Sequence, residues 1–430
     1  MSAGRVGVRE RAALVGLVTG TMRRHAAERS MDELAGLADA AGADVVLRVQ
    51  QERPKPDPST FLGAGKIKML AASCSEMGVD VVIFDNELTP AQLRQIEAEV
   101  GTNVVDRTQL ILDIFARRAK TREGKLQVEL AQLKYLLPRL VGAGVALSRL
   151  GGGIGTRGPG ETKLETDRRR IRTRIHSLTE DIEQVRKRRS QLRERRHKAS
   201  VPTVALVGYT NAGKTTLFNR LTHADAVASD ALFVTLDPLV RKVRLPDSRE
   251  LLVSDTVGFI DRLPHALVAA FRATLEEVAD ADLILHVVDA AALDRERRMD
   301  AVRRVLEEVS ALDVPMLDVY NKCDALTGDE RRRLQEQEPA ALLISAVTGQ
   351  GIDDLIETVA SRLALDVVRM TLVFDPAAAD DRERLARVYR HARVLVHEER
   401  DDRIQIVADV PRRLVDRMTP QRQKQGQGRP

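Results

Sequence analysis

A glycine-rich turn between an apolar strand and a helix limits the possible folds of this chain more than any other feature. The run TVALVGY leads directly into residues 208–215, GYTNAGKT, which match the pattern GxxxxGK[ST]. The pattern requires a strand, a loop and a helix in that order, and its surroundings supply all three. The sequence therefore predicts a P-loop, and with it a mostly parallel α/β sheet whose strand ends hold phosphate groups.

Each position of this loop has a mechanical role. Gly208 and Gly213 let backbone amides curl around phosphate oxygens. Lys214 reaches the β- and γ-phosphates of a nucleotide, and the Thr215 hydroxyl coordinates Mg²⁺. The alternative is an ordinary glycine turn beside a surface lysine. The predicted nucleotide-binding residues of the loop are Gly208, Tyr209, Thr210, Asn211, Ala212, Gly213, Lys214, Thr215 and Thr216.

A second motif follows the apolar strand LLVS and has the pattern DxxG. Its residues are Asp255, Thr256, Val257 and Gly258. The carboxylate can hold Mg²⁺, directly or through water, and the Gly258 N–H can meet the γ-phosphate. DxxG alone is a weak signal, but here it follows the P-loop at a distance typical of Ras-like proteins.

The segment ALFVTLDP, between these motifs, contains a hydroxyl that can close over Mg²⁺ and be released when the nucleotide is hydrolysed. We predict that Phe233, Val234 and Thr235 contact the nucleotide, and that Thr235 joins Thr215 and Asp255 as a magnesium ligand. The alternative is a surface threonine before a strand.

The tetrapeptide NKCD at the end of another buried strand selects the base. A carboxylate at Asp324 can accept hydrogen bonds from N1–H and the exocyclic amine of guanine, a pair of donors that adenine lacks. Asn321 and Lys322 are predicted to support the base, and backbone amides at Ser345 and Ala346 are predicted to meet the guanine O6. The nucleotide is therefore expected to be GTP or GDP.

The residue after DxxG predicts a slow enzyme. Ras-like proteins carry a glutamine there that orients the attacking water, whereas this chain carries Phe259, which can neither donate nor accept a hydrogen bond. Lys214, Thr235 and Gly258 remain as the candidate catalytic residues. Acceleration is expected from a partner, from a monovalent cation or from a distant side chain.

The remaining sequence predicts four further regions around the Ras-like domain at 201–365. Residues 1–118 alternate short apolar runs with helical patterns, which indicates an α/β subdomain. Residues 119–200 carry two heptad seams and are predicted to form an antiparallel helical hairpin. Residues 366–419 indicate a small α+β domain of βαββ order, and residues 420–430 a disordered basic tail.

The hairpin has two features that suggest a polyanionic partner. The loop between its helices, residues 142–160, is rich in glycine and contains Arg149 and Arg157; it is interpreted as functional, with a flexible hinge as the alternative. Residues 161–198 contain 14 Lys or Arg and 7 Asp or Glu, a larger surplus of positive charge than the net +5 of the whole chain.

Two composition features bear on compartment. Cys74 and Cys323 are the only cysteines, and they lack a metal-ligand spacing, which favours a reducing compartment. Runs of apolar residues are too short for a membrane span. A cytoplasmic location and a monomeric state are expected.

Together these motifs resemble the TRAFAC class of P-loop GTPases, and the whole chain is similar to the HflX family. The most specific strings are KLQVELAQLKYLLPRL, GGGIGTRGPGETKLETDRRRI and GYTNAGKTTLFN. The resemblance implies a GTPase that binds the large ribosomal subunit, through rRNA and ribosomal proteins, with the hairpin loop toward the peptidyl-transferase region. It also implies a role in splitting or rescuing stalled ribosomes under stress.

The resemblance bears on two individual positions. Family members carry an apolar residue where this chain has Phe259, and they depend on the ribosome for activation. Asn211 lies where potassium-stimulated relatives place a K⁺ ligand, so a bound K⁺ is a hypothesis here, with a purely structural asparagine as the alternative.

Two other functions are compatible with parts of the sequence. The heptads could dock a protein target, which would make the chain a GTP-dependent regulator of a partner such as a membrane-associated protease. A metabolic kinase or ATPase could use the same P-loop, but NKCD argues against adenine.

Overall fold

The computed structural model describes residues 9–20, 24–140, 163–199, 201–224, 226, 232–245, 250–261, 277–364, 367–400, 403–411, 415 and 418. The predicted hairpin loop at 142–160 and the predicted tail at 420–430 lie outside the described residues. The chain divides into two compact units. Unit 1 comprises residues 1–186, 229–237 and 262–272, and unit 2 comprises residues 187–228, 238–261 and 273–430.

Unit 1 contains a four-stranded parallel sheet in the order β2-β1-β3-β4. Its elements are β1 (Glu10–Val18), α1 (Arg24–Ala40), β2 (Ala43–Glu52), α2 (Ala64–Met77), β3 (Val81–Phe84), α3 (Pro90–Val100), β4 (Asn103–Asp106) and α4 (Arg107–Arg118). The apolar run at 12–18 is buried in β1, as expected for a strand covered on both faces. The predicted α/β character of this region is confirmed.

Local capping explains where helix α3 begins and ends. Thr89 accepts a hydrogen bond from the Gln92 amide and Gln92 reaches back to the Thr89 backbone, while Pro90 occupies the first turn. Gly101 closes the other end in the left-handed conformation, with φ at 73°.

The hairpin consists of α5 (Arg122–Arg139) and α6 (Lys163–Ala199). The second helix is the longer one, as predicted, at 37 residues against 18. Arg174 of α6 donates two hydrogen bonds to the Glu129 carboxylate of α5, at 2.7 and 2.9 Å. This bidentate pair joins the middle of one helix to the other.

The far end of α5 is fixed by the carboxylate of Asp106, which is fully buried at the end of β4. Asp106 accepts hydrogen bonds from the Tyr135 hydroxyl at 2.8 Å and from Arg139 Nη2 at 3.0 Å. It also accepts from the backbone amides of Leu88 and Gln109. One carboxylate thus joins four segments of unit 1, and this satisfies the charge that burial would otherwise make costly.

Unit 2 contains a six-stranded sheet in the order β10-β9-β8-β5-β7-β6, in which only β6 runs antiparallel to its neighbour. Its strands are β5 (Thr203–Gly208), β6 (Leu239–Arg244), β7 (Glu250–Asp255), β8 (Leu283–Asp289), β9 (Met316–Asn321) and β10 (Leu342–Leu343). Its helices are α7 (Lys214–Thr222), α8 (Arg295–Glu308), α9 (Gly328–Gln337) and α10 (Ile352–Ala364). The predicted Ras-like domain is confirmed, and the carboxyl ends of its parallel strands form one edge.

The C-terminal part of unit 2 has the predicted βαββ order: β11 (Val367–Phe374), α11 (Ala379–His391), β12 (Arg393–Arg400) and β13 (Arg403–Pro411). Its strands form an antiparallel sheet in the order β11-β13-β12. One face of the sheet is apolar and packs against Val388 of α11; this face includes Leu372, Phe374, Ile406 and Val410. In the described part of the chain, no helix is both long and apolar enough to span a membrane.

Candidate functional site

The P-loop lies at the carboxyl end of β5 and leads into the first turn of α7. Gly213, just before Lys214, has φ at +90°, which is a left-handed conformation that favours glycine. A Cβ at Gly213 would also collide with the side-chain amide of Asn321. The sequence places a glycine where the turn and a close neighbour both require one.

Lys214 is oriented by the loop that precedes it. Its Nζ donates hydrogen bonds to the carbonyls of Gly208 at 3.0 Å and Tyr209 at 2.9 Å. The residue is 6% exposed, and this burial lowers the pKa of the ammonium group from 10.5 to about 8, opposed by the nearby charge of Asp255. Lys214 is therefore a desolvated cation, which strengthens its attraction to phosphate oxygens.

Two of the three predicted magnesium ligands are brought together. Thr215 Oγ1 donates a hydrogen bond to Asp255 Oδ2 at 2.8 Å, and Asp255 is fully buried. The hydroxyl in the first turn of α7 and the carboxylate at the end of β7 are the hard oxygen donors that Mg²⁺ takes in phosphate-binding sites. The residues present therefore fit the ion.

The DxxG segment runs alongside the P-loop. The Phe259 N–H donates to the Gly208 carbonyl at 3.1 Å, and the Phe259 carbonyl accepts from the Thr210 N–H at 2.7 Å. Gly258 is buried, whereas the Thr256 hydroxyl points to the sheet and donates to the Leu206 carbonyl at 2.6 Å. Val257 is also buried. Gly258 is thus the member of this motif that lies against the phosphate loop.

The base-recognition motif is held to the P-loop by Asn321. Its Nδ2 donates to the Ala212 carbonyl at 2.9 Å, and its Oδ1 accepts from the Ala346 N–H at 2.9 Å. Ser345 is fully buried, and its N–H donates to the Gln350 carbonyl. The amides predicted to meet the guanine O6 therefore already have partners within the protein.

Lys322 and Asp324 follow β9, at the edge of the sheet where the carboxyl ends of the parallel strands meet. Asp324 is exposed in a short 3-10 turn, Cys323–Ala325, that follows β9. Lys322 has φ at +64° and its Nζ donates to Asp289 Oδ2 at 2.8 Å. Asp289 did not figure in the sequence prediction, although an acidic residue directly after the apolar strand LILHVV was the signal that could have identified it.

The segment with Phe233, Val234 and Thr235 belongs to unit 1. The Phe233 ring is 2% exposed and packs edge-on against Phe115, with ring centroids 4.7 Å apart. Asp237 accepts hydrogen bonds from the amides of Lys120 and Thr121, at 2.9 and 2.8 Å. Thr235 lies between these two anchors, and its contact with magnesium stays a prediction, as do the nucleotide contacts of Phe233 and Val234.

Asn211 and Thr216 are the remaining predicted residues of the phosphate loop. Asn211 is exposed, and its backbone is in the left-handed conformation with φ at +59°. Thr216 is half-buried in the first turn of α7. Groups of three or more acidic, histidine or cysteine residues arranged for a metal ion do not occur among the residues that the structure describes.

These groups together can bind a nucleoside triphosphate and cleave its terminal phosphate. The desolvated Lys214 and the loop amides attract the phosphates, the oxygen donors of Thr215 and Asp255 suit a divalent cation, and Asp324 suits guanine. Cleavage needs a water aligned with the terminal phosphorus, and the Phe259 side chain offers no hydrogen bond to that water.

Three protein-family models match the chain. GTP-binding GTPase N-terminal matches residues 28–116, GTP-binding GTPase Middle Region matches residues 118–196, and 50S ribosome-binding GTPase matches residues 203–322. Together the matched segments extend from α1 to the end of β9.

Curated relatives match over most of their length. The protein called GTPase HflX in Escherichia coli is 49% identical, over 80% of this chain and 82% of that protein. Its namesake in Caldanaerobacter subterraneus subsp. tengcongensis is 47% identical, over 85% and 83%, and that in Lacrimispora saccharolytica is 45% identical, over 95% of both chains. A GTP-binding protein from Sulfolobus solfataricus, solved with GDP, has 23% identity and a TM-score of 0.43, and the match covers 82% of this chain and 98% of that one.

Proposed function

Because the chain belongs to the HflX family of GTPases, we propose that it binds the large ribosomal subunit and couples GTP hydrolysis to the splitting or rescue of stalled ribosomes. The observation that carries this proposal is the match of residues 203–322, which hold the P-loop, DxxG and the first two residues of NKCD, to the 50S ribosome-binding GTPase model. We further propose that the protein acts in the cytoplasm as a monomer.

The hydrolytic step follows from the residues around the phosphates. Water attacks the γ-phosphorus, the bond to the bridging oxygen breaks, and GDP and phosphate result. Lys214 neutralises charge on the β- and γ-phosphates, and the Gly258 N–H donates to a γ-phosphate oxygen as charge grows there. A Mg²⁺ ion held by Thr215, Asp255 and Thr235 would neutralise further phosphate charge.

With Phe259 in this position, GTP hydrolysis is proposed to depend on the ribosome. A site without a water-orienting side chain keeps the bound GTP intact until the ribosome supplies the missing group or aligns the water. A K⁺ ion at Asn211 is a second proposed source of acceleration, and equal turnover in Na⁺ and K⁺ would rule it out.

The charge of α6 supports an RNA-containing partner. Arg172, Lys187 and Arg188 are exposed along this helix, within the segment that carries the surplus of positive charge. Lysine and arginine that contact phosphates release counterions, so binding through this helix should weaken steeply as salt rises.

The decisive experiment measures GTP turnover with and without purified large subunits, across a salt series. We expect strong stimulation at low salt, a steep loss as salt rises, and no turnover by Lys214→Ala under any condition. Rapid turnover by the isolated chain, unaffected by large subunits at low salt, would contradict the proposal.

The same series separates the rival function. A GTP-dependent regulator of a protein partner would ignore large subunits, and its binding to that partner would survive moderate salt and nuclease treatment. An association that disappears on nuclease treatment argues for the ribosome.

A further inference from the structure

The chain just after Gly258 is tied to the first turn of α8 by charged groups. The Asp261 carboxylate forms an ion pair with Arg297. Arg297 also pairs with Asp294 at 2.6 Å, and Arg298 pairs with the other oxygen of Asp294 at 2.7 Å. Two carboxylates and two guanidinium groups therefore form one network of balanced charge.

Tyr209 connects this network to the P-loop. Its backbone belongs to the loop, but its side chain points to the network: the hydroxyl accepts a hydrogen bond from the Asp261 N–H at 2.8 Å. Arg298 lies over its ring, 5.3 Å from the centroid, which is within the range of a cation–π contact. The residue is 6% exposed, so the ring is held by its surroundings.

Residues 258–261 lie against the P-loop. The N–H and the carbonyl of Phe259 both form hydrogen bonds with the P-loop backbone. Asp261 is held by the Tyr209 hydroxyl and by the Arg297 side chain. At Gly258, a Cβ would lie 3.0 Å from Thr210 Cα and 3.1 Å from Lys214 Nζ. The backbone of Gly258 therefore lies so close to the P-loop that an added side chain would force a shift.

We infer that Arg297 and Tyr209 are positioning residues for GTP hydrolysis, because they hold the segment whose Gly258 N–H faces the γ-phosphate. The inference rests on the role proposed for Gly258. A hydrogen-bond donor stabilises charge in a transition state only if it is already in place when the charge develops. In a site without a water-orienting glutamine, this donor carries more of the catalysis.

The network lies outside the apolar core of unit 2. The Arg297 side chain is 33% exposed and those of Asp261 and Asp294 are 25% and 15% exposed, so the ion pairs are partly screened by solvent. Removing Arg297 should leave the sheet and the core of unit 2 intact. A functional change in such a variant is thus informative.

The test compares Arg297→Ala with the full wild-type chain. We expect single-turnover GTP hydrolysis to fall about tenfold and the affinity for a non-hydrolysable GTP analogue to fall about fivefold. GDP affinity should stay within about twofold, because GDP has no γ-phosphate for Gly258 to meet. Arg304→Ala on the same helix is the matched control, since Arg304 is exposed and donates to the Asp300 carbonyl, and it should behave as wild type.

A second set of variants separates positioning from general damage. Arg297→Lys keeps the charge and should restore most of the hydrolysis rate. Asp261→Asn should reproduce the profile of Arg297→Ala, and the double variant should be no worse than either single one, as expected for two halves of one contact. If Arg297→Ala lost its cooperative unfolding transition, Tyr209→Phe, which keeps the ring and removes the hydroxyl, would provide the same comparison of GTP analogue with GDP.

Three results would overturn the inference: hydrolysis by Arg297→Ala at the wild-type rate, equal loss of GTP-analogue and GDP affinity, or additive losses in the double variant. A wild-type chain that fails to bind the GTP analogue would instead contradict the proposed function itself. The two failures are therefore distinguishable.

Discussion

The side-chain amide of Asn321 donates a hydrogen bond to the carbonyl of Ala212 at 2.9 Å. This contact joins the base-recognition strand to the phosphate loop, and the oxygen of the same amide holds the Ala346 N–H. Both halves of the nucleotide site therefore depend on one side chain that is 2% exposed.

Asn321→Ala should weaken GTP and GDP equally, by about 1–3 kcal/mol, because it leaves a buried carbonyl and a buried amide without their partner. Equilibrium titration with both nucleotides measures the effect. Asn219→Ala is the matched control, since Asn219 makes a similar pair of bonds to the backbone of Ala226. If the affinity for GTP fell and the affinity for GDP did not, Asn321 would act on the γ-phosphate and not on the part of the site that both nucleotides use.

Nucleotide affinity should depend on the charge of Lys214. With the pKa lowered to about 8 by burial, the free protein loses this charge as pH rises above 8, and bound phosphates favour the charged form. GDP affinity should then fall by about tenfold per pH unit between roughly pH 8 and 10. Lys214→Arg retains its charge and supplies the baseline, which includes ionisation of the guanine base. Parallel profiles for the two proteins would contradict a lowered pKa.

The same shift has a consequence for stability. In the unfolded chain Lys214 regains its ordinary pKa of 10.5, so between pH 8 and 10.5 the unfolded state binds more protons than the folded one. The contribution of this group to the free energy of unfolding therefore increases as pH rises through that window. Chemical denaturation of the wild type and of Lys214→Met at pH 7.5 and 9.5 would measure the difference.

Gly258→Ala should impair hydrolysis while sparing GDP. The added methyl group would lie 2.9 Å from Thr210 Cγ2 and 3.1 Å from Lys214 Nζ, so the segment must move away from the phosphate loop. We expect a loss of hydrolysis of at least about tenfold, the scale of removing one donor to a transition-state oxygen. At Gly328 an added Cβ has nothing within 4 Å, so Gly328→Ala should retain wild-type turnover.

Asp324→Asn should weaken guanine recognition by about 1–3 kcal/mol, because the asparagine amide presents a donor to a base edge that is itself a donor. Xanthosine diphosphate, with a carbonyl in place of the exocyclic amine, should bind the variant better than the wild type. Asp329→Asn, an exposed carboxylate in the first turn of α9, is the control. Unchanged GDP affinity in Asp324→Asn would show that the base lies elsewhere.

Deleting residues 151–158 should leave GTP binding intact and impair ribosome-dependent function. The deletion removes the centre of the predicted hairpin loop, which no residue of the nucleotide site adjoins in sequence. Nucleotide affinity and the splitting of stalled ribosomes would be measured side by side. Ribosome splitting at the wild-type level would show that the loop is only a flexible hinge.

Features that depend on neighbours in the sequence were predictable. The P-loop turn follows from two glycines and a lysine, the start of α3 from Thr89 and Pro90, and the strands from their apolar runs. Each of these requires only local backbone geometry and local burial. The C-terminal βαββ order was predictable for the same reason.

Contacts between distant residues were not predictable. The hydrogen bonds of Asp237 to Thr121 join positions 116 residues apart, and Asn321 reaches Ala212 across 109. No periodicity marks such pairs, because only the folded chain brings them together. The side chain of Tyr209 is a related case. The motif predicted the role of its backbone, but not the contact of its ring with Arg298 or the hydrogen bond of its hydroxyl with the Asp261 N–H.

The buried carboxylate of Asp106 has a mechanical consequence for the hairpin. Tyr135 and Arg139 lie one turn apart near the C-terminal end of α5, and both bind this carboxylate, so the end of the helix is held beside β4. Because this end of α5 is held by contacts within unit 1, its position should not depend on the sequence that follows Leu140.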